Sequence, residues 1–158
     1  MSKPPKGYRP GAGAIVLNAA GLVFVAERLD APGAWQMPQG GLDAGEDPRA
    51  GALRELAEET GIRSVAMLAQ TKEWLRYDFP PNFETRWGKK YRGQAQHWLL
   101  LRFTGRESEI NLAQEHPEFG AWRWVDARTL PDLTISWKRP LYEALLTEFG
   151  PLIGPSQG

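Results

Sequence analysis

Residues 40–62 read Gly-Gly-Leu-Asp-Ala-Gly-Glu-Asp-Pro-Arg-Ala-Gly-Ala-Leu-Arg-Glu-Leu-Ala-Glu-Glu-Thr-Gly-Ile, a glycine-rich loop running into one short helix. The helix has readable ends. Asp47 is placed to cap it, because a carboxylate there accepts from free N–H groups of the first turn. Pro48 suits the first helical position, where a missing N–H costs nothing. Gly61 suits the residue just past the end, which is commonly left-handed. The pattern predicts a helix over about 48–60. At 100° per residue, Ala50, Leu53, Leu56 and Ala57 share one face. Glu55, Glu58 and Glu59 share the opposite one, and Glu46 sits just before the cap. On a solvated helix such a stripe means little, since like charges at i,i+4 cost only about 0.2–0.5 kcal/mol. In a cleft the balance changes: two charges about 4 Å apart repel by about 4 kcal/mol at an effective dielectric of about 20. Several such pairs need a divalent cation or a proton. Oxygen-only donors select Mg²⁺, Mn²⁺ or Ca²⁺ over zinc.

The spacing is Gly40, five residues, Glu46, seven residues, Arg54-Glu55-Leu56, one residue, Glu58-Glu59, one residue, Gly61-Ile62. It resembles the complete Nudix box, with all nine defined positions filled. The resemblance implies an α/β fold, the Nudix-type α/β/α sandwich with a mixed central sheet. It implies Mg²⁺-dependent cleavage of nucleoside diphosphates linked to another moiety, with Mn²⁺ as a substitute. It makes Glu55, Glu58 and Glu59 metal ligands, with Gly40 beside them. Arg54 then orients a glutamate by a charge-assisted hydrogen bond. The plainer reading of Arg54 is a surface i,i+4 partner of Glu58.

A chain of 158 residues fits one domain and can bury a core without disulfides. There are no cysteines, which excludes disulfides and thiolate metal sites. Formal net charge is zero, so any contact with a polyanion must come from a local patch. The first ten residues lack the apolar core of a signal peptide, and no apolar run approaches a membrane span. The expectation is a single domain over 1–158, cytoplasmic, monomeric and not membrane-associated, with any protein activator left unidentified. The tail over 151–158 is rich in Pro, Gly and Ser and is expected to fray.

Elsewhere, residues 13–17 and 22–27 read as strands joined by a turn over Asn18–Gly21. Residues 66–77 lead into an irregular stretch ending at Gln94. Residues 97–103 form a buried strand and 119–125 another. On the latter, Trp122 and Trp124 share one face and are expected to pack. Asp126 is placed to cap a single turn ending before Pro131. The last helix is expected over 136–149, with Pro140 in its first turn and Leu141, Ala144, Leu145 and Phe149 as its apolar stripe. Short mixed strands with two main helices point to the same sandwich.

The flanks are more discriminating. Tyr8-Arg9-Pro10, Trp35 to Gly41, Trp74 to Tyr77, Gly93 to Gln96, Pro117-Glu118-Phe119, Trp122 to Val125 and Ser136 to Arg139 resemble one subgroup. It comprises bacterial RNA 5′-pyrophosphohydrolases and diadenosine tetraphosphate hydrolases. Gln39, where many Nudix proteins carry glycine, marks it. The resemblance implies that Arg9 and Arg28 contact phosphate or base. It implies that Glu118 joins the metals, with Glu115 its competitor on the same loop. Lys138 and Trp137 would line the nucleotide pocket, the ring stacking on the first base. The RNA enzymes carry Phe where this chain has Trp137; a π-face survives that change. Residues 77–96 look like the dinucleotide enzymes. There Arg86, Lys89, Lys90 and Arg92 can meet phosphates, Phe83, Trp87 and Tyr91 can stack on bases, and Gln96 joins the substrate contacts. The plain alternative is a solvated loop. His97 and His116 are read as structural.

The reaction so implied is metal-assisted phosphoanhydride hydrolysis, with Glu58, Glu55, Glu118 and Arg54 as its catalytic residues. Glu58 and Glu118 both remain candidates for the base. On a 5′-triphosphate RNA end the product is a 5′-monophosphate RNA; on diadenosine tetraphosphate, ATP and AMP. A non-catalytic binding module and an enzyme for mononucleotides or nucleotide sugars are the competing readings.

Overall fold

A computed structural model describes residues 2–81 and 90–153. Its axis is a pair of long parallel strands, β1 (Tyr8–Leu17) and β7 (Gly93–Phe103), matched along ten residues. Both are covered on both faces, so residues 14–17 and 98–101 read as continuous apolar runs rather than alternating ones. Ala12, Ala14 and Val16 of β1 face α1 (Pro48–Thr60), with Leu99 and Leu101 of β7. Ile15 and Leu17 face the other way, with Trp98 and Leu100, onto α3 (Arg139–Ile153). The sheet adds β2 (Val23–Arg28), β3 (Trp35–Gln36), β4 (Gln39–Gly41), β5 (Val65–Gln70), β6 (Leu75–Asp78) and β8 (Phe119–Val125). The order is β3-β2-β1-β7-β5, with β4 also on β1, β6 on β7 and β8 on β2. A short α2 (Leu130–Leu133) precedes α3. Helices thus cover both faces of a mixed sheet, the sandwich expected from sequence. No described helix is long and apolar enough to cross a membrane.

Helix α1 spans the expected residues, and Gly61 ends it at φ 78°, its N–H donating to Ala57 O at 2.9 Å. Two expectations for it fail. Asp47 has the extended backbone of a cap, but its side chain makes no capping bond. The buried face is also rotated: Leu53 is 41% exposed, while Ala52, Leu56, Glu59 and Thr60 are buried. The inward stripe is i, i+4, i+7 and i+8 from Ala52. It carries one acid, Glu59, inward beside Ala52 and Leu56.

Other differences have local causes. The first strand begins at Tyr8 rather than residue 13, because its partner β7 begins at Gly93. Residues 66–77, given no element from the sequence, fall into two strands, both paired with β7. The Asn18–Gly21 turn forms as expected, with Asn18 Oδ1 accepting from Ala20 and Leu22 N–H. Asp126 caps its turn by accepting from Arg128 N–H at 2.9 Å. The helical path then continues through Pro131, which sits in the first turn of α2 where no N–H is needed. The last helix reaches Ile153, so 151–153 are helical rather than frayed; Ile153 packs on the α3-side core.

Candidate active site

Gly40 and Gly41 of β4 lie where two side chains press on the backbone. A Cβ at Gly40 would stand 2.3 Å from the Glu55 carboxyl carbon, and one at Gly41 2.1 Å from the Arg9 guanidinium. Only glycine admits both approaches. The acid from α1 and the cation from β1 therefore meet the loop from its two sides.

Arg54 ties the acids together. Its Nε and Nη2 donate to Glu46 at 2.8 Å each, Nη1 to Glu55 at 3.0 Å and Glu58 at 3.1 Å, and Nη2 also to Gly41 O at 3.0 Å. Glu46 in turn accepts from Asp43 N–H at 2.9 Å. The Arg54 guanidinium holds the Glu46 carboxyl down at about 2. Arg54 is thus both the orienting residue and the i,i+4 partner of Glu58, the two readings the sequence left open.

The three box glutamates do not share one environment. Glu58 is mostly exposed. Glu59 is 8% exposed and accepts from Gln39 N–H at 3.2 Å. Burial pushes its carboxyl well above the usual range, and the Glu118 and Glu55 charges push it further. Burial also raises Glu55, partly offset by Arg54 and reinforced by Glu58 and Glu118. Glu118 is raised by the surrounding protein, with Arg28 pulling it back. Among the described residues, no three Asp, Glu, His or Cys side chains are gathered tightly enough to enclose an ion. The donor chemistry itself fits a hard divalent cation: desolvated carboxylates that raise one another's pKa, pressed against a glycine backbone.

A cleft of about 270 Å³ opens beside them, lined by Arg28, Leu29, Asp30, Gln36, Gln39, Pro117, Glu118 and Phe119. Glu118 lines it; Glu115 does not. Arg28 is forked onto Asp30, at 2.8 and 2.7 Å. Lys138 is buried behind the lining residue Gln36, 3% exposed, its Nζ donating to Gln36 Oε1 at 3.3 Å. Burial lowers this amine to about 8, with Arg28 adding to the effect and Glu59 and Glu118 opposing it. The unfolded chain therefore holds the proton more tightly. The charged amine penalises the fold fully below about 8, and stability rises with pH from there to its ordinary 10.5. Lys138→Met keeps the buried stem and removes the charge. It should abolish that rise in urea unfolding between pH 8 and 10, and raise KM for a polyphosphate about tenfold or more, as expected of one charge-assisted contact.

Of the remaining candidates, Arg9 lies across Gly41 as described. Gln96 is fully buried and holds the cleft residue Gln39 rather than facing the cleft: its Nε2 donates to Gln39 and Gln94, and its Oε1 accepts from Trp98. Trp137 packs on Tyr77 at 5.5 Å and Phe79 at 6.3 Å. Tyr91 lines a different cavity, with Trp74 and Glu46. Phe83, Arg86, Trp87 and Lys89 lie outside the described residues. His97 is buried against Thr71 and Trp74, away from the cleft. Trp122 and Trp124 pack together on Phe24. Three participants escaped the sequence. Asp30 and Gln36 are polar residues beside a strand end, and Tyr142 pins the loop by accepting Met37 N–H at 2.9 Å. Only Gln36, inside the Trp35–Gly41 run, carried a sequence signal.

Residues 7–145 match the family model described as NUDIX domain. The chain is 54% identical over 142 residues to an RNA pyrophosphohydrolase of Rhodospirillum rubrum, covering 89% of this chain and 86% of that one. It is 54% identical over 146 residues to an RNA pyrophosphohydrolase of Zymomonas mobilis, covering 90% and 94%. Among solved structures it resembles the E. coli dihydroneopterin triphosphate pyrophosphohydrolase, with a TM-score of 0.70, 22% identity, and coverage of 90% and 99%.

Proposed function

The chain belongs to the Nudix family of phosphoanhydride hydrolases, and on that premise we propose that it removes pyrophosphate from 5′-triphosphate RNA ends. The observation that carries this reading is the cleft, lined by the acid Glu118 and the cation Arg28, with Glu59 bonded behind its Gln39 and Lys138 behind its Gln36. The names of the relatives at 54% identity agree with it. Family members use divalent cations, and Mg²⁺ is the ion we assign, with Mn²⁺ as a substitute.

Glu55, Glu58, Glu59 and Glu118 would hold the cations, with Gly40 beside them. A bound divalent cation supplies positive charge against phosphate oxygens and makes water more acidic. Arg54 sets the direction of Glu55 and Glu58. Arg9, Arg28 and Lys138 receive the rest of the polyphosphate and hold it in line. Gln39, fixed by Gln96, marks the boundary between the acid and cation walls. A glutamate takes the water proton; Glu118, which lines the cleft and has a raised pKa, suits that role better than Glu58, which is paired to Arg54. The scission places the RNA 5′-phosphate on one side and pyrophosphate on the other. The cytoplasm is where we place this reaction.

A second reading, diadenosine tetraphosphate to ATP and AMP, rests on the aromatic wall of Tyr77, Phe79 and Trp137. That wall takes an adenine as readily as a transcript's first base. The test is a side-by-side kcat/KM with Mg²⁺ on a ten-nucleotide 5′-triphosphate RNA, diadenosine tetraphosphate and a nucleotide sugar. The RNA is expected to be the best substrate. Preference for the dinucleotide selects the second reading, and cleavage of the sugar alone overturns both.

A further inference from the structure

We propose that Arg76 and Arg92, seated on the ring of Tyr8, form a phosphate-binding rail for the RNA chain downstream of its first nucleotide. This rests on the RNA reading above and names a second subsite for it. The Arg76 guanidinium carbon lies 5.4 Å from the Tyr8 ring centroid and that of Arg92 5.6 Å. The ring is held in turn by its hydroxyl, which donates to Asp78 at 2.5 Å. Tyr8 is itself buried, so it acts as a platform for the two cations rather than as a stacking surface. Asp78 opposes Arg92 at 3.6 Å, and Arg76 makes no ion pair among the described residues. The group therefore keeps an excess of positive charge at the surface.

Tyr8, Arg76, Arg92, Tyr77 and Trp137 line one cavity of about 530 Å³. Pockets of roughly 300–1,000 Å³ hold small organic ligands, so a nucleotide fits. The buried side chain of Lys138 lies between this cavity and the cleft. Lys138 Nζ sits 5.6 Å from the Tyr77 centroid and 5.5 Å from that of Trp137, and also reaches the cleft residue Gln36 at 3.3 Å. A chain leaving the cleft on this side reaches Trp137, a partly buried ring at the cavity wall with an edge for a base, and then the two arginines. Alternating cations and an aromatic along one path are the requirements of single-strand binding. A dinucleoside polyphosphate carries no phosphate beyond its nucleosides and has nothing to place there. The rail thus acts on RNA length rather than on the bond broken.

The test compares wild type with Arg76→Glu/Arg92→Glu and with the milder Arg76→Gln/Arg92→Gln, using ten- and two-nucleotide 5′-triphosphate RNAs and Mg²⁺. The ratio of kcat/KM, long over short, should fall about tenfold through KM. The salt dependence on the long RNA should flatten, by about 0.7 in log–log slope for each lost contact to a single strand. An unchanged ratio in both variants, or equal losses on both lengths, overturns the rail. Wild type that leaves both RNAs intact overturns the RNA reading instead, and the rail with it.

Discussion

Glu59→Gln is expected to lower kcat about a thousandfold while raising the melting temperature of the metal-free protein. The two effects share one cause. Glu59 is nearly dry, and burial with the Glu118 and Glu55 charges pushes its carboxyl well above the usual range. A cation site is worth several kcal/mol in such chemistry, and about 4 kcal/mol is a factor of about a thousand. The stability effect follows from proton linkage. At very low pH both folded and unfolded chains hold the proton, and Glu59 contributes no difference. Above roughly pH 4.3, the ordinary glutamate value, the unfolded chain loses it first. Stability then falls as pH rises, until the folded protein too has ionised. Glutamine keeps the shape and cannot ionise, so it escapes that penalty. Thermal melts at pH 5 and 8, with and without Mg²⁺, check this. Mg²⁺ should stabilise wild type more at pH 8 and should shift the variant far less. A variant that melts lower than wild type at pH 8 without Mg²⁺, or that keeps full activity, would refute the assignment.

The second large effect is on folding. Gly93→Ala should cost about 3 kcal/mol or more, at or beyond the upper end of ordinary overpacking. A Cβ there would lie 1.9 Å from the Tyr77 carbonyl oxygen and 2.8 Å from Asp78 Cα. These are backbone atoms and no rotamer moves them. Gly93 is paired with Asp78 on one side and Tyr8 on the other. The strain therefore falls on β6, which carries Tyr77 and Asp78. Gly150→Ala is the control: beyond its chain neighbours nothing lies within 4 Å of a Cβ there, and because the following Pro151 disfavours a Cβ in helical backbone, the helix-propensity gain is offset and the change should stay within about 1 kcal/mol. Urea unfolding of both variants measures the difference. Equal stability of Gly93→Ala and wild type would mean that the β6–β7 pairing yields more easily than described.

The box was legible because its signals are local. Pro48 and Gly61 bound α1, and the offsets of the acids need no tertiary knowledge. What surrounds the box was not. The rotation of α1 about its axis is decided by the sheet beneath it, so Leu53 came out and Glu59 went in. Lys138 was assigned to the nucleotide pocket by resemblance, but its full burial comes from Tyr77 and Trp137 closing over it. Gln96 was named a substrate contact by resemblance alone. Its amide is used up by Gln39, Gln94 and Trp98, residues brought together only by strand register. Asp30 sits on a loop with no pattern to single it out, and its role appears only with the Arg28 fork.

Arg54 has a bearing on the birth of the protein as well as on its chemistry. By gripping Glu46, Glu55 and Glu58 at once, it supplies the box with a counter-ion of its own. A nascent chain can then assemble this acid-rich corner before any dissolved ion arrives. The same grip makes every incoming ion a competitor with a resident guanidinium.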